Sequence, residues 1–107
     1  MTIDTTTLTA VINQCFANSG DGRFTLQDRS TFLAEGKRLR GLLVNLISAQ
    51  FSDGTQQVVD ANSDLSTVNN DLADDATTLA NTAARLNDIA TLVSNLDALL
   101  NIATKFI

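Results

Sequence analysis

Few side chains in this chain are able to do chemistry. Cys15 is the only thiol, Glu35 the only glutamate, and histidine is absent. That excludes histidine-based acid–base catalysis and the usual zinc, haem and copper sites. Cys15 falls on an apolar helical stripe with no basic neighbour in sequence, so it reads as a buried structural cysteine, not a nucleophile. Asp71, Asp74 and Asp75 cluster on one stretch, where paired carboxylates could hold a metal or move protons. A di-iron bundle would need Glu-x-x-His pairs, which the sequence lacks. The cluster therefore reads as a solvated acidic face, with Asp75 setting register on a helical seam. No glycine-rich phosphate loop or Ser-His-Asp set can be assembled. The chain is expected to be no enzyme and to carry no cofactor.

One segment has metal-ligand spacing. In Ala17-Asn18-Ser19-Gly20-Asp21-Gly22-Arg23-Phe24-Thr25-Leu26-Gln27-Asp28, a central Gly22 permits a sharp turn. Ser19, Asp21, Thr25 and Asp28 stand at the segment's third, fifth, ninth and twelfth positions, each bearing a side-chain oxygen. The segment resembles the calcium loop of EF-hand and dockerin proteins, which implies these four residues as weak candidate ligands. It departs from that pattern where the first ligand should be, because Ala17 has no oxygen to give. The alternative is a Gly-Asp-Gly turn followed by a Thr25–Asp28 helix cap.

Charge is unevenly spread. Five of the seven basic residues lie between Arg23 and Arg40, culminating in Lys37-Arg38-Leu39-Arg40. Residues 1–52 carry a net +1 and residues 53–107 a net -6, from five basic against four acidic and two against eight. With no aromatic side chain interleaved and an acidic chain overall, nucleic acid is not an expected partner. The basic cluster is instead expected to pair with the acidic second half, within a chain or between copies.

The elements that position these residues are helical. Proline is absent, and every glycine lies at or before Gly54. Leu8, Val11, Ile12, Cys15 and Phe16 form one apolar stripe, which predicts a first helix over about 5–17, capped by Asp4 or Thr5. Phe32, Leu39, Leu43, Leu46 and Ile47 predict a second over about 26–51. Leu42 and Val44 lie off that stripe, marking the end of this helix as bundle centre or interface. Gly36 lies on the stripe and is read as a notch for a neighbouring helix. Beyond it, Val58, Leu65, Leu72, Leu79, Leu86, Val93, Leu100 and Ile107 recur every seven residues, with Ala61, Val68, Ile89 and Leu96 on the companion positions. The stripe passes through 69–75 without a phase slip, so one very long helix over about 55–106 is expected. A break within 70–82 is the alternative, and it would return Phe106 towards Phe51.

The expected fold is therefore all-α, a single helical-bundle domain over 1–107 ending in a heptad-patterned helix. A continuous last helix would be ~80 Å long against ~40 Å for the second. Leu86, Ile89, Val93, Leu96 and Leu100 would then be uncovered, and a strip of that kind rarely stays in water. The expected function is a non-enzymatic interaction module that self-associates through this seam, most simply as a dimer, or binds another helical protein. Two alternatives stand beside it. One is a structural subunit of a helical assembly, since the Asn/Thr/Ala/Leu-rich composition resembles that of helical subunits of exported filaments. The other is a cation or ligand sensor using residues 17–28. The longest apolar run, Leu42–Ile47, is broken by Asn45 and far below the ~20 residues that span a bilayer. With an acidic N-terminus and one cysteine, a cytoplasmic location and no membrane partner are expected.

Overall fold

The computed structural model describes residues 3–47, 49–50, 56–78, 82–102 and 104–105, with the side chains of 50, 74–78, 102 and 104–105 outside that description. Among the described residues the fold is all-α. Helix α1 spans Thr5–Ser19, α2 Leu26–Ile47, α3 Gln56–Thr78 and α4 Thr82–Ile102. Two short strands, β1 (Ala49–Gln50) and β2 (Thr104–Lys105), pair antiparallel, with Ala49 opposite Lys105. Asp74, Asp75, Phe51 and Phe106 carry sequence expectations that lie outside the described side chains.

The helices start where local chemistry supplies a cap. Asp4 accepts from the Thr7 backbone N–H at 3.1 Å and opens α1. Thr25 Oγ1 accepts from the Asp28 N–H at 3.1 Å and opens α2. Each bond satisfies one of the donors that a helix N-terminus leaves orphaned. The first helix then buries Leu8, Val11, Ile12 and Cys15, the stripe expected from their spacing.

Helix α1 packs on α2 and α3, and α4 packs on the same two, so α1 and α4 stand on one diagonal and α2 and α3 on the other. The Arg85–Asp71 and Asn95–Asp64 bonds show that α3 and α4 run antiparallel. The β1–β2 pairing ties the end of α2 to the end of α4. The bundle measures 43 × 22 × 19 Å.

The continuous last helix is corrected by this structure. Its described residues form two helices, α3 and α4, folded back on each other. Burial accounts for the break. Val58, Ala61, Leu65, Val68 and Leu72 of α3 and Ile89, Leu92, Leu96 and Leu99 of α4 enter one core. A straight rod would have left the α4 set uncovered. Helical continuity across a few residues is worth less than burying those side chains, at roughly 1.5–3 kcal/mol each. Around Leu79 and Ala80 the sequence carries the mediocre helix formers Thr77, Thr78, Asn81 and Thr82.

The phase slip that a loop leaves is present but concealed. On α3 the buried set is the heptad seam itself. On α4 the most buried residues include Leu92 and Leu99, one position before the seam residues Val93 and Leu100, which are only partly buried. Because both members of each pair are apolar, the sequence shows no shift. The second helix also differs from expectation. It ends at Ile47, not near 51, and Ile47 is 68% exposed although the stripe would bury it.

Candidate functional site

The calcium-loop-like segment is a helix-to-helix turn in which the side-chain oxygens of Ser19, Asp21 and Thr25 are engaged. Ser19 Oγ donates to the Phe16 carbonyl at 2.6 Å, and Thr25 Oγ1 is the cap of α2. Asp21 receives Arg23 through its backbone N–H, Nε and Nη2, at 3.0 to 2.6 Å. The guanidinium holds the Asp21 carboxyl down at about 2. Asp28 sits in the first turn of α2. A cation would have to displace Arg23 and open that cap. Among the described residues, no group of three or more acidic or Cys side chains is placed to hold a metal.

The five seam residues chosen from the heptads separate into two groups. Ile89 and Leu96 are fully buried inside the single chain, while Leu86, Val93 and Leu100 are partly buried against the same core. The premise that they are uncovered is corrected, because α3 and α2 cover them. Cys15 is also in the core, and burial, reinforced by the charge of Glu35, pushes its thiol up to about 12.

Two members of the basic cluster find partners on α2 and α1. Arg38 Nη1 pairs with Glu35 Oε1 one turn away on its own helix, at 2.9 Å. Arg40 lies over the Phe16 ring, 5.4 Å from its centre. The acidic α3 is bound instead by α4, through Arg85 to Asp71 at 3.2 Å and Asn95 to Asp64 at 3.3 Å.

What the fold leaves outside is more telling. Among the described residues the large exposed apolar side chains are Leu26, Leu33, Val44, Ile47 and Val59, and four of these five belong to α2. Leu26, Leu33, Lys37, Arg40, Val44 and Ile47 are spaced seven, four, three, four and three residues apart. That places them on one helical stripe. Its apolar ends flank a basic middle, and it lies beside the face that buries Phe32, Gly36, Leu39 and Leu46, with Arg40 on its α1 edge, over Phe16. The sequence signal was there in Val44, which lies off the buried stripe. Leu33 and Leu26 gave less, because single exposed leucines are ordinary.

Two grooves flank α4. One, about 400 Å³, lies between α3 and α4 and is lined by Gln57, Asp60, Ala61, Asp64, Asn95, Ala98 and Leu99. The other, about 480 Å³, lies between α2 and α4. Of the residues lining the second, Glu35 is the buried one, at 6% exposure. Its Oε2 has no hydrogen-bond partner. Sequence reasoning passed Glu35 over, yet it stands three residues after Phe32 and four before Leu39, on the buried stripe. A carboxylate at such a position is the signal that would have found it.

No protein family, curated protein or solved structure matches the chain. Among the described residues no helix is long and apolar enough to cross a membrane.

Proposed function

We propose that this chain is a non-enzymatic helical interaction module that self-associates, with the solvent face of α2 as its contact surface. The observation that carries the reading is the concentration of exposed large apolar side chains on that one stripe, around Lys37 and Arg40. The apolar side chains stand in two groups, Leu26 with Leu33 and Val44 with Ile47, on either side of the two cations, and large apolar side chains gathered on one exposed face among polar groups support an interaction site. The occupant is a second copy of the chain. Residues 53–107 carry a net -6, and Val59, the remaining large exposed apolar residue, stands beside Asp60 on α3. Val59, Asp60 and Asp64 thus offer both apolar and acidic complements to the stripe.

Helices α2 and α3 occupy opposite corners of the bundle. A contact between the α2 stripe of one copy and the α3 edge of the next is therefore head-to-tail. Such contacts close into rings or grow openly, which brings this reading to the structural-subunit alternative and away from a two-fold dimer. Seam-to-seam association through Ile89 and Leu96 would require the core to open, so the α2 stripe replaces that seam in the proposal. Cytoplasmic residence belongs to the same reading and rests on the lone, buried Cys15.

Sedimentation across a concentration series at low and high salt tests this. Mass that rises with concentration and falls with salt is expected, because the contact joins opposite charges. A salt-insensitive monomer at the highest attainable concentration would overturn it.

A further inference from the structure

The α2–α4 groove carries a feature that neither core packing nor the docking stripe uses. Glu35 lines it with a side chain 8% exposed, and only Oε1 is engaged, by Arg38. Oε2 is buried without a donor. A buried acceptor left unpaired is costly, and more so when charged, so native folds rarely keep one without a use. An apolar residue of similar size would serve the bundle better at this position.

The rest of the groove describes what would satisfy that oxygen. Leu42 and Val93 are half-buried in its lining, and Ala90 adds a third small apolar wall. Asn45, Ser94 and Asp97 lie on its exposed rim. Two carboxylates and one guanidinium leave the lining with a net single negative charge. Gly41 keeps the space open, since a β-carbon built there meets nothing within 4 Å. The groove volume of about 480 Å³ falls in the range of small-molecule sites.

We propose that this groove binds a small primary ammonium compound with an apolar body, its N–H groups received by Glu35 Oε2 and its body lying against Leu42, Ala90 and Val93. Ammonium supplies the missing donor and neutralises the lining. A neutral ligand does the first weakly and the second not at all, and an anion meets Glu35 and Asp97 unfavourably. Arg38 keeps its bond to Oε1, and its exposed guanidinium borders the bound molecule. The site is separate from the α2 docking stripe, which lies on another side of that helix.

Calorimetric titration of the full chain at fixed ionic strength tests the proposal, with phenethylammonium chloride and phenethyl alcohol as probes. The two differ in the charged nitrogen. Saturable binding of the amine is expected, at least about tenfold tighter than the alcohol. Glu35→Gln should abolish that preference. Gly41→Leu should abolish binding by filling the groove, with a melting temperature equal to or above the original, because Leu is the better helix former. The second variant keeps the test sound if the first folds poorly. Equal binding of amine and alcohol, absence of saturable amine binding, or unchanged binding by a folded Gly41→Leu chain would each overturn the proposal.

Discussion

Gly36 of α2 stands so close to Cys15 of α1 that a β-carbon added to it would lie 3.2 Å from the Cys15 β-carbon. The Phe16 ring would be equally near, at 3.2 Å. The tight α1–α2 contact thus depends on a missing methyl group, as the notch reading of the sequence expects. Gly41, five residues later, faces open space. Gly36→Ala is expected to lower stability by about 1 kcal/mol, overpacking outweighing the gain in helix propensity. Gly41→Ala should raise it by about 0.5–1 kcal/mol. Urea unfolding of both variants checks the pair, and a stabilised Gly36→Ala chain would remove the close-approach argument.

Burying Cys15 beside Glu35 couples the fold to alkaline pH. The thiol titrates near its ordinary 9.0 when unfolded and at about 12 in the bundle. Below pH 9 both states are protonated and nothing is lost. Between pH 9 and 12 the unfolded chain releases the proton while the folded chain holds it, so stability falls by about 1.4 kcal/mol for each pH unit of that window. Cys15→Ala should flatten the decline over that window, measured by denaturant unfolding from pH 8 to 11. A variant that declines as steeply as the original would contradict the assignment. The same burial predicts that a thiol reagent labels the native chain only as fast as it opens.

The seam and the stripe should respond to substitution in opposite ways. Leu96 is fully buried and Val44 is 66% exposed. Leu96→Ala is expected to cost about 2–5 kcal/mol of stability by leaving a cavity. Val44→Asp should leave stability within about 0.5 kcal/mol and instead reduce self-association. Thermal unfolding read beside sedimentation separates the two effects. A stable Leu96→Ala chain with reduced mass would restore the seam as an interface.

Helical class, the α1 stripe and the α3 seam were legible because each depends on periodicity within one element. Leu8 to Cys15, and Val58 to Leu72, are buried as their spacing predicts. The reversal between α3 and α4 was not legible. The sequence between them contains neither Gly nor Pro, and the doubled apolar pairs Leu92-Val93 and Leu99-Leu100 absorb the change of phase. From that one miss followed the expectation of an uncovered α4 seam, because a rod exposes the residues that a hairpin buries. Ile47 was lost for a related reason. Helix α2 is covered by α1 and α4 on one side only, and whether a helix end is covered is a property of its neighbours. Glu35 was visible as a carboxylate on an apolar stripe, but its orphaned oxygen and the groove beside it exist only once α4 is folded back.

The outer face of α2, not the α4 seam, is the surface proposed to meet another copy. Methyl-resolved NMR spectra of the full chain, followed from low to high concentration, test this most directly. Signals of Leu33, Val44, Ile47 and Val59 are expected to shift and broaden, while Ile89, Leu92 and Leu96 stay in place. Movement confined to the α4 methyls, with the α2 face unchanged, would contradict it.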